Sequence, residues 1–539
     1  MVRILIILCF SFTLSQNFLY DSDDWYLVKD PGSIYSITEG PFQVYFGTEN
    51  GIFSYDKLDD IIEYDVQLNR GLNHNEQILS IHYDSYSDQI WILTNKGIFY
   101  KNPIFDSFNE TTLDYRNDEF YNMGELGSID RYIVLEYGAE YIFIDSFSGS
   151  QVDSISDFNV DHVIWSSSFY SYNSNDIDLS AYYSDDWLIG FRTITDTYGN
   201  DESVNVYFED AQSNLWFGTD KGKVIKGYKY TNKVEIYNIG PFSERVTSLS
   251  RDDNGNWFLA SGRFRAHRTS TQNFQYNKQA NSFASIWNEY DNTWLYLNED
   301  DFSELNNPDV NYVFNADDTF LCLGLMTGLL VISMQDYNYY YFIDESEGLS
   351  DSAIFKIEFY DDKIFAMTSE GISVYSLISN VVIEENILSR IQIEDSEILD
   401  MVIFENNLYF STKAGLFLYD IDQELFNKIS DNIFYEIEYS DKKIYGLNQH
   451  IWIIDLLNYD ESVFYYGSGR NIAITDKYIW INLQDRAKLI DLESKQEWIY
   501  NHNDGFVDTE IFDIIDDGDW VCFLTDNGLM FYNWSSYHY

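Results

Sequence analysis

The chain is rich in side chains able to do chemistry and poor in spacings that would let them do it together. Its seven histidines are His74, His82, His162, His267, His450, His502 and His538. None stands in the HExxH spacing that sets two imidazoles on one helix face for zinc, and no cysteine lies near enough to complete a zinc site. There is no GxSxG nucleophile elbow, no P-loop, no strand–GxGxxG–helix unit and no twelve-residue EF-hand pattern. With 89 Asp and Glu residues, some carboxylate pair could always be named as an acid–base couple, so a pair by itself carries no information. No catalytic residue, no metal and no cofactor is expected, and the residues point to binding.

Charge narrows the partners. The formal net charge is −57. Such a surface repels nucleic acid and anionic lipid heads, so neither is an expected partner. One stretch departs from this. From Lys221 to Arg268 there are ten Lys or Arg against four Asp or Glu. Strand alternation would set Arg263, Arg265 and His267 on one face. That face reads either as a patch for an anionic ligand or as internal counter-charge, and the second reading fits so acidic a protein better. The run Tyr337-Asn338-Tyr339-Tyr340-Tyr341-Phe342 could stack on sugar faces, but reads better as an outer strand packed on its neighbour.

These residues are carried on a repeated hairpin, Thr-x-x-Gly followed by a short apolar run. It occurs at Thr48–Gly51, Thr94–Gly97, Thr219–Gly222, Thr368–Gly371, Thr412–Gly415 and Thr525–Gly528. An apolar strand precedes each Thr, and another follows most of the glycines, which is the pattern of two strands joined by a tight turn. Gly51 and Gly97 lie 46 residues apart, and Gly371 and Gly415 lie 44 apart. Degenerate copies around Gly138, Gly262, Gly328, Gln449 and Arg486 fill the longer gaps. A period in the low forties with four short strands per unit is the signature of a propeller blade. The spacing predicts an all-β chain with two tandem β-propellers, about 12 to 14 blades in all and six to seven per ring, since one ring rarely exceeds eight. The rhythm is weakest from Gln272 to Pro308, which sets the expected boundary near residue 300: an N-terminal propeller over 17–300 and a C-terminal one over 301–539.

The first residues read as an export signal over 1–16. Arg3 supplies the positive start, Ile4 to Phe12 the apolar stretch, and Thr13-Leu14-Ser15 the small residues before cleavage. Of the three cysteines, Cys9 falls in this leader. Cys322 and Cys522 each lie six residues before a turn glycine, so they occupy equivalent core positions in different blades and are not expected to pair. The stretch around Trp25-Tyr26-Leu27-Val28 looks like an outer strand without a blade of its own. The final hairpin, VCFLTDNGLMFYNW, lacks an outer strand, so the first strand is expected to close a ring.

The pattern "dGL…I..I…D..GnlWfGT.nGl..yd" resembles the two-component regulator propeller repeat. Its best copies are ERVTSLSRDDNGNWFLAS, NVYFEDAQSNLWFGTDKG and the segment from Gly348 to Tyr375. The resemblance covers nearly the whole mature chain, strongly in about half the blades. It implies paired propellers of the kind found in periplasmic sensor regions of hybrid histidine kinases, though no kinase and no transmembrane helix is present in this sequence. The chain also looks like the propeller portion of a surface component of type IX secretion, without that component's C-terminal sorting domain. Ser250–Trp257 resembles a sialidase Asp-box with its glycine one place off, and reads as a structural turn.

Ligands of propellers usually meet the ring at the mouth of its channel, which the loops before the inner strands and the Thr-x-x-Gly turns build. That reasoning singles out His74, Asn75, Asn95, Lys96, Lys221 and Asn527, with Arg263 and Arg265 from the basic stretch. The resulting expectation is an exported, non-enzymatic binding or scaffold module, in the periplasm, on the cell surface or secreted, that recognises a protein or glycan of the bacterial envelope. Two alternatives stay open: a sensor acting in trans with a two-component kinase, and a propeller polysaccharide lyase or hydrolase. The oligomeric state is left open.

Overall fold

A computed structural model describes residues 25–534 apart from 73–75, 106, 113–122, 139, 170–177, 244, 261–264, 267–269, 272–281, 303–308, 392–396, 476, 484–485, 502–509 and 519. The export-signal segment lies outside the described residues. Nearly all regular structure is strand. Among the described residues there are eleven antiparallel sheets of four to six strands, and one two-stranded hairpin. Most are simple meanders, in which each strand pairs with the one before it.

Position within the meander explains the composition of each strand. The second strand of a sheet is buried along nearly its whole length, as in Gln43–Thr48, Gln89–Thr94 and Trp520–Thr525. Sheets cover it on both faces, so it reads as a continuous apolar run. The outermost strands, such as Val381–Glu384, are largely accessible and alternate in burial. The Thr-x-x-Gly turn joins second to third strand. In the eleventh sheet the Thr525 hydroxyl donates to the Gly528 carbonyl at 2.8 Å and accepts from the Asn527 N–H at 3.0 Å. Thr48, Thr94, Thr368 and Thr412 make the same bridge. The threonine is therefore part of the turn's own hydrogen bonding.

Within two groups of sheets, the first strands of neighbouring sheets pack against one another. The inner strands of the first to fourth sheets are Ile34–Glu39, Ile78–Asp84, Met123–Ile129 and Asp201–Glu209. The first of these touches the second and the fourth, and the second touches the third. In their midst lies Ser167–Ser168, which contacts all four. Ser36 Oγ donates to Ser167 O at 2.6 Å, Ser168 Oγ to Leu79 O at 3.1 Å, and Ser166 Oγ to Leu126 O at 2.6 Å. Small hydroxyl side chains let this segment pass between the inner strands while the Ser166 and Ser168 hydroxyls are both paired.

The inner strands of the fifth to eleventh sheets are Ser248–Arg251, Val310–Ala316, Ile354–Tyr360, Ile398–Phe404, Glu436–Ser440, Ile472–Ile474 and Ile511–Asp517. Each contacts the next. The eleventh sheet then packs back on the fifth: Leu249, Trp257 and Trp287 share one buried cluster with Val28, Phe512, Cys522 and Phe531. The strand Trp25–Val28 pairs with Gly528–Tyr532 and completes this eleventh sheet. The first strand thus finishes the last sheet and leaves it no open edge there.

The two cysteines are free and buried, on the sixth and eleventh sheets. The tyrosine-rich run forms the outer strand Tyr340–Ile343, with Tyr340 and Phe342 packed against the cluster around Phe302. The Asp-box-like segment is a turn: Asp252 accepts from Asn254 N, Asn256 N and Asn256 Nδ2 at 2.8–2.9 Å. Asp210 builds the same turn through Gln212, Asn214 and the Trp216 indole.

Candidate functional site

The seven inner strands from Ser248–Arg251 to Ile511–Asp517 enclose a cavity of about 560 Å³ to which every one of them contributes side chains. Its chemistry is set near the start of each strand. In the seventh, eighth and eleventh sheets the inner strand opens on a buried isoleucine, Ile354, Ile398 or Ile511. A shift of register follows immediately. Such a bulge re-aims the next residues. The side chains that follow are Lys356, Asp400 and Asp513, and all three line the cavity. In the first and second sheets the equivalent residues are Ser36 and Ser80.

This position also seals one sheet to the next. Ser36 Oγ accepts from Ile81 N at 2.9 Å, Ser80 Oγ from Leu126 N at 3.2 Å and Ser248 Oγ from Val313 N at 2.8 Å. In the later sheets carboxylates do the same: Asp400 Oδ2 accepts from Ile437 N at 2.8 Å, and Glu436 Oε1 from Ile472 N at 2.9 Å. Asn311 Nδ2 donates to Ile354 O at 2.9 Å, and Asn471 Nδ2 to Phe512 O at 3.2 Å. Serine would suffice for the seam, so the acidic residues bring charge the seam does not require.

That charge is acidic and concentrated. Glu358, Asp400, Glu436, Glu438 and Asp513 share the cavity with Lys356, whose ammonium lies 2.8 Å from Asp400 Oδ1. Burial disfavours the Lys356 ammonium, but Asp400, Tyr312, Glu358 and Glu438 outweigh it and hold its pKa well above the usual value. Burial pushes Glu358 up to about 7, Lys356 opposing and Asp400 adding to the shift. It pushes Glu438 up to about 8 and, with Asp513 and Asp400 nearby, Glu436 well above the ordinary range. Asp513 rises to about 6, burial again outweighing its bonds to Ile514 and Asn471. At one end Arg251 joins the sheets, pairing with Asp517 at 2.8 Å and with Glu289. The cavity can hold a ligand and exchange protons with it.

A second cavity, of about 1490 Å³, lies where the first sheet meets the fifth and eleventh. Tyr26, Tyr64, Trp257, Trp287, Tyr290 and Trp520 give it aromatic walls. Glu63 stands at its edge, raised to about 7 by burial and by Asp65, Asp56 and Asp59.

His74, Asn75 and Arg263 lie outside the described residues. Arg265 lies in the two-residue strand Arg265–Ala266, paired with Ser270–Thr271. Asn95 and Lys96 are in the turn of the second sheet, where Lys96 pairs with Glu76 at 2.5 Å. Lys221 is in the turn of the fourth sheet and donates to Asp201 O at 2.9 Å. Asn527 is buried within the turn of the eleventh sheet. Asn95, Lys96, Lys221 and Asn527 line neither cavity and lie in the turns of three different sheets. The turn residues are not all free to face a ligand, since Asn50 and Asn527 are both buried. The lysines of the basic stretch are committed internally: Lys223 to Glu202, Lys226 to Asp60, Lys229 to Glu209 and Lys233 to Asp185, all within 2.9 Å. The residues missed were Lys356, Asp400, Glu436 and Asp513. Aligning the inner strands IFKIEFY, ILDMVIF and IFDIIDD on their first isoleucine would have shown a charged third position.

No family model and no curated protein matches the chain. Among solved structures it is similar to PorZ, an essential bacterial surface component of the type-IX secretion system of Porphyromonas gingivalis. The identity is 11%, the TM-score 0.53, and the match covers 95% of this chain and 87% of that one. It is also similar to the structure described as the extracellular domain of hybrid two-component system BT4673 from B. thetaiotaomicron. There the identity is 13%, the TM-score 0.42, and the coverage 92% of this chain and 69% of that one. At these identities the likeness to PorZ shows the fold. No helix among the described residues is long and apolar enough to cross a membrane.

Proposed function

We propose that the chain is an exported, non-enzymatic double β-propeller that recognises a protein or glycan of the bacterial cell envelope beside secretion machinery. One ring is the group of four sheets around Ser167–Ser168. The other is the group of seven sheets that Trp25–Val28 completes. On this reading the chain passes from one ring to the other between Tyr237 and Ser248, ahead of the boundary expected near residue 300. The whole fifth sheet, Ser248 to Asn298, packs with the second group.

The observation that carries the reading is the contrast between the two centres. The first is occupied by the chain itself. The second is a polar cavity of about 560 Å³, within the range of small-ligand sites. The fold likeness to a type IX surface component, over nearly the whole chain, supports the envelope setting. The test is a glycan array combined with pull-down from envelope extracts. Capture of a defined glycan or protein is expected. Silence in both, from protein shown to be folded, would overturn the reading. Turnover of any member of an acidic polysaccharide panel would replace it with an enzymatic one.

A further inference from the structure

We propose that the cavity of the seven-sheet group is a site for a small primary-ammonium compound, such as an amino sugar or a polyamine. The inference rests on the binding role just proposed and names the ligand chemistry of that site.

Three observations carry it. First, carboxyl groups outnumber the resident cation, and a ligand ammonium placed among them would favour their ionised forms. Glu358, Asp400, Glu436, Glu438 and Asp513 face Lys356, and Lys356 is already held by Asp400 at 2.8 Å. Second, acceptors are left over. The side-chain oxygens of Asn311 and Asn471 are buried without a hydrogen-bond partner, in residues 7% and 4% exposed that line the cavity. No donor among the described residues hydrogen-bonds to the Glu438 carboxyl group. Buried acceptors left unpaired are costly, and a ligand with several N–H donors would satisfy them. Third, the walls include Tyr312, Phe355 and Tyr435, whose ring faces suit an organic cation. No group of His, Cys, Asp or Glu placed to hold a metal ion occurs among the described residues. An ammonium that spreads its donors over several strands therefore fits better than a compact divalent ion.

The internal cation supplies a test with two opposite signs. Lys356 occupies part of the field that a ligand ammonium would use. Removing it should tighten binding, while neutralising the carboxylates should weaken it. The experiment is calorimetric titration of the mature full-length chain at low ionic strength. The probes are spermidine, glucosamine, N-acetylglucosamine and calcium chloride. Glucosamine differs from its N-acetyl form chiefly in the charge on nitrogen. Spermidine, glucosamine or both are expected to bind, with N-acetylglucosamine at least tenfold weaker than glucosamine. Binding by spermidine alone would assign a polyamine, and by glucosamine an amino sugar. Glu438→Gln combined with Glu358→Gln should weaken binding at least tenfold, and Lys356→Met should tighten it about threefold or more. If Lys356→Met fails to fold, Glu438→Gln alone decides, because no hydrogen bond among the described residues depends on that carboxyl. The proposal is overturned if neither ammonium probe binds, if glucosamine and its N-acetyl form bind alike, or if calcium binds more tightly than both. It is equally overturned if the glutamine variants bind as wild type does, or if a folded Lys356→Met binds more weakly. Should those variants still abolish capture of an envelope component while no ammonium binds, the cavity remains the site and only its ligand class falls.

Discussion

The α-carbon of Gly528 faces the carbonyl of Val28 so closely that a Cβ there would stand 2.2 Å from the oxygen. Val28 belongs to the first described strand and Gly528 to the last hairpin. The contact is therefore the seam at which the two ends of the chain close the eleventh sheet. The glycine also has φ +97°, a conformation other residues adopt at a cost.

Gly528→Ala should destabilise the protein more than Gly518→Ala does. Gly518 lies in the same sheet with φ +70° and nothing within 4 Å of its would-be Cβ. Backbone strain alone costs about 1–3 kcal/mol at either position. Only at Gly528 is the collision with Val28 added. Urea titration of both variants measures the difference, and equal losses would remove the seam from the account.

Trp25→Ala should cost about 3–5 kcal/mol, as large-to-small changes of buried aromatics do. Trp25 is buried and stacks on Tyr532 at 4.4 Å between ring centroids. Thermal or chemical unfolding reads the loss. A cost under about 1 kcal/mol would mean that the first strand does not hold the sheet. Export processing is expected to leave this strand intact, because the cleavage expected near Ser15 or Gln16 precedes it.

Stability should pass through a maximum in mildly acidic solution. Glu358, Glu438 and Asp513 have folded-state values raised to about 7, 8 and 6 by burial. Their contribution is fully present below the ordinary carboxylate range and is lost progressively as pH rises from about 4 to about 8. His82 works in the other direction. Burial lowers it to about 3, so its contribution is present above 6.5 and is lost as pH falls from 6.5 toward 3. Because three carboxyl groups oppose one histidine, the maximum is expected near pH 4, and melting temperature measured from about pH 2 to 9 should fall on both sides. Glu358→Gln with Glu438→Gln should flatten the alkaline limb, and His82→Phe the acid limb. Limbs unchanged by these substitutions would contradict the assignment.

Ser36→Val should destabilise the first group of sheets by about 1–3 kcal/mol, because the buried Ile81 N–H loses its acceptor. Ser167 O loses its 2.6 Å donor at the same time. Ligand capture should be unchanged in the folded variant, since Ser36 is remote from the seven-strand cavity. Loss of capture without loss of stability would point to a site in the four-sheet group.

The sequence disclosed the fold better than the site. Period, turn and apolar strands are properties of every repeat, so each copy restates them. The strand Trp25–Val28 could be recognised as a missing outer strand because the last hairpin lacked one. The division of the chain was harder to read. The stretch from Gln272 to Pro308, where the repeat rhythm is weakest, set the expected boundary, yet Ser282–Asn288 and Thr293–Asn298 complete the fifth sheet. The site was missed because its residues differ from copy to copy. Lys356, Asp400 and Asp513 share a register with Ser36, and only the packing of seven inner strands around one cavity gathers them. Lys96 and Lys221 were legible as exposed turn residues, but their charges serve Glu76 and the Asp201 carbonyl.

The central claim is that the seven-strand cavity, and not the Thr-x-x-Gly turns, meets the partner. The direct measurement is capture from envelope extracts by three folded proteins: wild type, Glu358→Gln/Glu438→Gln, and Lys96→Ala/Lys221→Ala. The account predicts that the cavity variant loses the captured component and the turn variant keeps it. Retention by the cavity variant with loss by the turn variant would contradict it.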